Sequence, residues 1–346
     1  MAQKLLVVRN DKIGDFMLAW PALAYLKNAS PTPHVSVLVP AYTAPLAKAC
    51  PWIDEVIIDP GSTAEPSAQR ALLQQVKAAS FDALLTLFST PRIAWLGWRA
   101  GIPLRVAPAT KWAQIFYNLR IRQRRSRSAK PEYQYNVDLA RALLNRLALA
   151  VPTLPPPPYW PIDTEYREQQ RRALLANLQA SGGAVAVVHP GSGGSAVNLT
   201  VNQYADLIAQ IHHRIGKSQR IHWLISAGPN EQPQAQALIR QLAAAGVVAN
   251  PFPASDSVEA FALQLAGADM LIAGSTGPLH IAGCLNIATA GFYPAKRSAT
   301  SLRWQTCNSA EKRLYFSPPP HAGETDMMSV DIALAAQAIS LFLSKY

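Results

Sequence analysis

LLVVRNDKIGDFMLAWPAL, residues 5–23, changes character twice within nineteen positions. Leu5, Leu6, Val7 and Val8 form an unbroken apolar run, the pattern of a strand buried on both faces, as in a parallel sheet. Arg9, Asn10, Asp11, Lys12, Gly14 and Asp15 interrupt it, and a resumed apolar pattern predicts a helix over residues 15–27. In a parallel sheet the loop beyond a strand's C-terminal end faces the ligand crevice, so Asp11 and Asp15 fall where side chains meet substrate. Asp15 taken alone has two readings, a charge complementing the helix N-terminus or a general base. Gly14 permits a tight turn or the close approach of another molecule to the backbone.

The same alternation recurs along the chain. Apolar, β-branched runs at 35–39, 56–58, 84–88 and 104–107 predict further strands, with segments of helical length such as 68–79 between them. That is the rhythm of βαβ units. Residues 152–161, PTLPPPPYWP, hold six prolines, which remove hydrogen-bond donors and fix the backbone near polyproline II. The stretch reads as an interdomain linker, the alternative being a surface loop inside one domain. Beyond it strands are predicted at 184–188, 221–225, 247–248, 270–273 and 288–292. Tyr204, Leu207, Ile208 and Ile211 stand at i, i+3, i+4 and i+7, one apolar helix face. Residues 331–343, DIALAAQAISLFL, predict a last helix packed on a domain. The expected organisation is therefore α/β, with one half at 1–151, a linker at 152–162, a second half at 163–325 and a C-terminal helix within 326–346. A cleft between the halves is the default ligand site.

Composition narrows the partners. A chain of 346 residues suits about two domains, and 49% hydrophobic with 15% charged residues excludes disorder as its main theme. The net charge of +11 favours an anionic partner: nucleic acid, an acidic membrane surface or a phosphorylated substrate. Cys50, Cys284 and Cys307 are odd in number and widely spaced, which indicates neither a disulfide framework nor a zinc site and points to a reducing, cytoplasmic compartment. Lys4, Arg9 and Asp11 deny the first residues the apolar core of a signal peptide. The apolar stretch 270–294 is broken by Gly274, Gly277, Pro278, His280, Gly283 and Asn286, against a spanning helix.

Two glycine-bearing turns in the second half are suited to phosphate. VVHPGSGGSAVNLT, 187–200, runs from a strand through Gly191, Ser192, Gly193, Gly194 and Ser195, presenting backbone N–H groups and hydroxyls. It lacks the lysine of a Walker loop and the spacing of a dinucleotide fingerprint, and a plain connection is the other reading. AGSTGPLHIAG, 273–283, ends a strand at Ser275–Thr276–Gly277 and places Pro278 where a first helical turn accepts it, so the N–H groups there form a second anion site. His280 either touches the same anion or is a satisfied structural histidine. The run LRIRQRRSRSAK, 119–130, carries Arg120, Arg122, Arg124, Arg125, Arg127 and Lys130; it reads as a solvated loop or as a site for an anionic acceptor or acidic membrane. Trp112, Phe116 and Tyr117 just before it share helical spacing with Ile115 and Leu119, which reads as core, and no nucleic-acid motif appears.

Taken together these stretches resemble the heptosyltransferase family of glycosyltransferases, which add heptose from ADP-heptose to the inner core of lipopolysaccharide. RNDKIGDFMLAWPAL is similar to that family's first loop, HPGSGG to its phosphate loop, and GSTGPLHIAGCLNIATAGFYP to its donor-binding strand, turn and helix. RSATSLRW, 297–304, resembles the segment that follows, and the matches run in the expected order over nearly the whole chain.

The resemblance implies a GT-B architecture, two Rossmann-like domains facing across a cleft, with inverting transfer that uses no metal or other cofactor. It implies Asp15 as catalytic base, and Ser192, Gly193, Glu231, Ser275, Thr276, Gly277, Pro278, Leu279 and His280 around the nucleotide-sugar donor. Glu231 matches a glutamate near the ribose; its other reading is a charge at a helix start. Asp11, Lys12, Arg120, Arg122 and Arg124 are expected to meet an anionic glycan or glycolipid acceptor, with the protein cytoplasmic and peripheral to the inner membrane face and no nucleic acid bound. Where many members carry a lysine before Trp-Pro this chain reads Ala196-Val197-Asn198-Leu199-Thr200, and where many carry an aspartate it has Ser275. Either Lys296, Arg297 or Arg303 restores the missing charge, or the donor differs, or activity is weak. The alternatives are a nucleotide-sugar epimerase of the same fold and a nonenzymatic nucleotide-sugar-binding protein.

Overall fold

Six strands of the first half line up side by side in a single parallel sheet: β1 (Lys4–Val8), β2 (His34–Pro40), β3 (Glu55–Asp59), β4 (Ala83–Thr86), β5 (Leu104–Pro108) and β6 (Leu119–Ile121). The computed structural model describes residues 2–109, 112–193, 197–216 and 219–345. The spatial order is β3-β2-β1-β4-β5-β6. A second parallel sheet follows from β7 (Ala184–His189), β8 (Ile221–Ile225), β9 (Ala249–Pro251), β10 (Met270–Gly274), β11 (Ala288–Phe292) and β12 (Arg313–Phe316), in the order β12-β11-β10-β7-β8-β9. The two orders are the same Rossmann order. In each sheet the first and fourth strands are neighbours, so the build-out of the sheet reverses between β1 and β4 and again between β7 and β10.

Burial explains the apolar runs. Leu5, Leu6 and Val8 are fully buried, as are Val185, Ala186, Val187 and Val188, because helices cover both faces of a parallel sheet. Each such Leu or Val side chain taken from water contributes roughly 1.5–3 kcal/mol. The Val201–Ile215 helix starts on a capping box, with Thr200 and Gln203 satisfying each other's backbone N–H groups, and lays Tyr204, Leu207, Ile208 and Ile211 into the core. The C-terminal Ile332–Leu343 helix packs against that same helix and buries Ala335, Ala336, Ile339 and Leu343.

The chain divides into two compact units, Met1–Arg125 with Lys130–Pro156, and Ser126–Ala129 with Pro157–Tyr346. Residues 152–162 form neither helix nor strand. Tyr159 and Trp160 are nevertheless buried, and the Trp160 N–H donates to Cys284 O at 2.8 Å within the second unit.

Several expectations need correction. The helix expected over 15–27 is two helices, Ile13–Met17 and Trp20–Lys27, because Pro21 has no N–H to offer Met17 and its ring crowds that carbonyl. Strand β4 stops at Thr86, short of Leu87 and Phe88. Val247 and Val248 lie before β9: the Val247 N–H closes the preceding helix on Leu242 O, and pairing begins at Ala249. Trp112 and Ile115 are exposed, not core. They sit in a 3-10 turn, Trp112–Phe116, whose period of three turns residues 112 and 115 outward and Ala113 inward. The basic run also hides a strand, β6, and its Arg125 is half-buried and bonded instead of freely solvated.

Candidate functional site

The loop after β1 is organised by a buried arginine. Arg9 is 3% exposed, and its guanidinium donates from Nε to Asp11 Oδ1 at 2.8 Å, from Nη2 to Asp15 Oδ1 at 2.5 Å and from Nη1 to Glu132 Oε1 at 3.3 Å. Burial alone depresses the Arg9 pKa, but the three carboxylates outweigh it and hold the group above its ordinary value. Glu132, 1% exposed, sits between two cations, since Arg125 Nη1 donates to the same oxygen at 2.6 Å. Arg125 is itself held by Leu87 O at 3.2 Å and Gln123 Oε1 at 2.7 Å. The Ile13–Met17 helix places Asp15 in its first turn beside Arg9, while Lys12 lies exposed at the helix start.

Burial pushes the Asp11 carboxyl up to about 6 from 3.8, against the attraction of Arg9 and with the help of the Asp15 charge. Tyr42 fixes the backbone here, its hydroxyl donating to Asp11 O at 2.5 Å. Arg120 lies on β6 and Arg122 and Arg124 follow it, all three exposed. The loop after β1 and the chain at Leu87 after β4 flank the reversal point of the first sheet, where ligands of such sheets bind.

The second sheet repeats the arrangement with different chemistry. After β7, Glu231 accepts from Gly193 N–H at 2.7 Å through Oε1 and from Gly228 N–H at 2.7 Å through Oε2. Its Oε2 also lies 3.3 Å from His189 Nε2, and His189 Nδ1 lies 3.1 Å from Ser226 Oγ. Burial lowers the His189 pKa and Glu231 opposes it, the net direction being down. Glu231 begins the Gln232–Ala244 helix, but its carboxylate makes no cap there and instead ties the loops after β7 and β8 together. Gly191 is required by this packing, because a Cβ there would lie 2.1 Å from the Glu231 carboxyl carbon. Ser192 lies in the same loop; Gly194 and Ser195, expected to join it, and Ala196 fall outside the described residues.

Asn198 braces the loop from the other side. Its Nδ2 donates to Pro190 O at 3.0 Å and Gly191 O at 3.2 Å, while Oδ1 accepts from the Tyr204 hydroxyl at 2.8 Å. Gly274, at the end of β10, leaves room for it: a Cβ would lie 2.5 Å from Asn198 Oδ1. Next come Ser275 and Thr276, the latter at the N-cap position of the Gly277–Cys284 helix without a side-chain cap bond, and Pro278 in its first turn. Thr276 Oγ1 and His280 Nδ1 are buried with no hydrogen-bond partner among the described residues, and Leu279 is fully buried. Burial pushes the His280 imidazole down to about 4, so it is neutral at neutral pH. Ser275 Oγ stands 3.5 Å from His280 Nε2. Ser192 and Gly193 after β7, with Glu231 after β8 bonded to them, and Ser275 to His280 after β10 thus flank the reversal point of the second sheet.

Of the cations that could offset the absent lysine, Lys296 is exposed, Arg297 Nε donates to Ser126 O at 2.9 Å, and Arg303 is buried beside the Trp304 ring. Among the described residues no group of three His, Cys, Asp or Glu side chains is placed to hold a metal ion. Sequence reading gave no bracing role to Glu132, Arg125, His189 or Asn198, all of which help to hold the candidate residues in place.

Two parallel sheets of this order, each with polar loops gathered at its reversal point, define an α/β enzyme of the GT-B class. The profile of glycosyltransferase family 9 (heptosyltransferase) matches residues 69–308. A Haemophilus influenzae protein provisionally named a glycosyltransferase is 44% identical over 347 residues, covering 99% of this chain and 97% of its own. The chain belongs to glycosyltransferase family 9, the heptosyltransferase family, and is a glycosyltransferase. Its fold is shared with E. coli ADP-heptose lps heptosyltransferase II, with TM-score 0.75 at 16% identity over 99% of both chains. E. coli heptosyltransferase WaaC, solved with ADP, superposes with TM-score 0.69 at 18% identity, again over 99% of both chains.

Proposed function

We propose that the protein moves a heptose or closely related sugar from a nucleoside diphosphate donor, ADP-heptose foremost, to a lipopolysaccharide core or similar anionic glycan. Transfer inverts the anomeric carbon and proceeds without metal. The acceptor hydroxyl attacks the anomeric carbon as its proton passes to Asp15, and the bond to the diphosphate breaks with its electron pair leaving on the nucleoside diphosphate. Arg9 holds one oxygen of Asp15 and leaves the other for that proton. Lys12, Arg120, Arg122 and Arg124 favour an anionic acceptor presented at the inner face of the cytoplasmic membrane, and Asp11 accepts from its hydroxyls.

The observation that carries the donor assignment is the start of the Gly277–Cys284 helix, where Thr276 Oγ1 and His280 Nδ1 are buried without a hydrogen-bond partner among the described residues, beside a first turn whose N–H groups have no partner within the helix. A diphosphate satisfies such groups and meets the positive end of the helix dipole. Ser192, Gly193 and Glu231 complete the donor site, donor hydroxyls competing with the Gly193 and Gly228 N–H groups for the Glu231 carboxylate. Family 9 membership supports the sugar-transfer class.

Calorimetric titration with ADP, UDP and GDP in the presence of a chelator tests the donor, and an assay with ADP-heptose and truncated core acceptors tests transfer. Selective ADP binding with acceptor-dependent release of ADP is expected. Donor conversion without acceptor would replace the reading with an epimerase, and binding without any conversion would replace it with a nonenzymatic binder.

A further inference from the structure

The two oxygens of Glu231 are filled unequally. Oε2 takes the Gly228 N–H at 2.7 Å and faces His189 Nε2 at 3.3 Å. Oε1 takes only the Gly193 N–H among the described residues, at 2.7 Å. A carboxylate oxygen accepts two hydrogen bonds, so Oε2 is filled and Oε1 keeps one acceptor position open.

The donors to Glu231 also differ in how firmly they are held. Gly193 and Gly228 belong to the loops after β7 and β8. His189 is instead the last residue of β7, paired with Ala273 of β10. Ser226, one residue beyond β8, continues the pairing of those strands by donating its N–H to Val188 O at 2.9 Å. Both residues are buried, so the imidazole and the hydroxyl beside it are rooted in the sheet itself.

Chemistry selects one arrangement of their hydrogens. A ring nitrogen presenting a lone pair would repel the Glu231 carboxylate at 3.3 Å, so Nε2 carries the hydrogen and donates it. Burial keeps the ring neutral against the pull of Glu231 and of the Ser226 backbone, which leaves Nδ1 an acceptor. The Ser226 hydroxyl, 3.1 Å from Nδ1, donates there in preference to Val188 O at 3.4 Å. Serine, histidine and carboxylate in line have the connectivity of a hydrolytic triad, but Ser226 is buried within the strand pairing, where no substrate reaches its oxygen.

We propose that Ser226 and His189 are positioning residues that hold Glu231 by Oε2 so that Oε1 meets the ribose hydroxyls of the donor, giving the site its preference for a ribonucleotide. Ser226 fixes which ring nitrogen carries the hydrogen, and His189 fixes the carboxylate. The proposal rests on the reading of Glu231 as part of the donor site.

The test is calorimetry at neutral pH with ADP and with 2′,3′-dideoxy-ADP on wild type, Ser226→Ala and Ser226→Thr, joined to nitrogen NMR of the histidine rings. The His189 signal is assigned by its loss in His189→Gln. Wild type should bind ADP about a hundredfold more tightly than the dideoxy analogue and show the Nε2–H tautomer. Ser226→Ala leaves both tautomers open, so the preference should fall to about tenfold or less through weaker ADP binding alone. Ser226→Thr keeps the hydroxyl and should restore the preference and the tautomer. An Nδ1–H tautomer in the wild type would overturn the proposal whatever the variants do. So would an unchanged preference in Ser226→Ala, or equal weakening of both nucleotides, which is the mark of a loop merely loosened. Equal binding of the two nucleotides by wild type would overturn it and leave the donor site standing. Binding of neither by wild type would overturn the donor reading and this proposal with it.

Discussion

Arg9 Nη2 donates to Asp15 Oδ1 at 2.5 Å, so the carboxylate proposed as base is aimed by a cation that is almost wholly buried. Asp15→Asn keeps the shape and removes the proton acceptor. Transfer should fall by at least about a thousandfold, within the range that positioned acid–base groups supply, while donor affinity stays near wild type. Turnover within about tenfold of wild type would remove Asp15 from that role.

Glu132 is the stability counterpart of this arrangement. It lies between Arg9 and Arg125 with 1% exposure, and removing its charge leaves two guanidiniums facing each other across a low-dielectric site. Glu132→Gln should lower the unfolding free energy by about 3 kcal/mol, read from the urea midpoint at constant slope. A loss below about 0.5 kcal/mol would show that solvent reaches the pair.

Acid titration separates two buried groups of opposite sign. Burial holds the Asp11 carboxyl at about 6 in the folded chain, above its ordinary 3.8, so the folded state keeps a proton that the unfolded chain has lost. Its stabilising contribution is complete below 3.8 and is lost as pH rises through 6. His280 titrates at about 4 against 6.5, because burial disfavours the cation, and its contribution is complete above 6.5 and lost as pH falls toward 4. Between pH 7 and 4, Asp11→Asn should therefore steepen the loss of stability, and His280→Gln should flatten it by about 3 kcal/mol. Stability curves for both variants that run parallel to wild type would contradict the assignment.

Gly191→Ala tests the loop after β7. The added methyl meets the Glu231 carboxylate, which must give up its hold on Gly193 and Gly228. Donor KM should rise about tenfold or more with little change in the melting of the first unit, since charge-assisted bonds of this kind contribute about 1.5–3 kcal/mol each. An unchanged KM would mean that the loop does not touch the donor.

The central strands were legible because continuous apolar runs have one outcome in a parallel sheet, and Leu5 to Val8 and Val185 to Val188 are buried accordingly. The edge strands were not: β6 is three residues long inside a cationic run, and β12 has Arg313 and Tyr315 on a solvated edge. Trp112 and Ile115 were misplaced because a period of 3.6 was assumed where the chain winds with a period of three. At the sites, Asp11, Asp15 and the glycine turns declare themselves by following apolar strands. Glu132 does not, since its partner Arg9 lies 123 residues away, and Asn198 looks like any loop residue until Gly274 is seen to make room for it.

The reversal in each sheet also dictates when the molecule can fold. Leu5 must wait for Ala83 to arrive before β1 gains its second neighbour, and the Glu132–Arg146 helix must follow before Asn136 can donate to Leu18 O at 3.0 Å. Loop closure over such separations is slow, so the first unit emerges from synthesis with β1 paired on one side and its apolar face open. The second unit repeats the wait, from Ala186 to Met270. A mutation that merely delays β4 or β10 is therefore expected to reduce yield through aggregation while leaving the enzyme that does fold with ordinary stability.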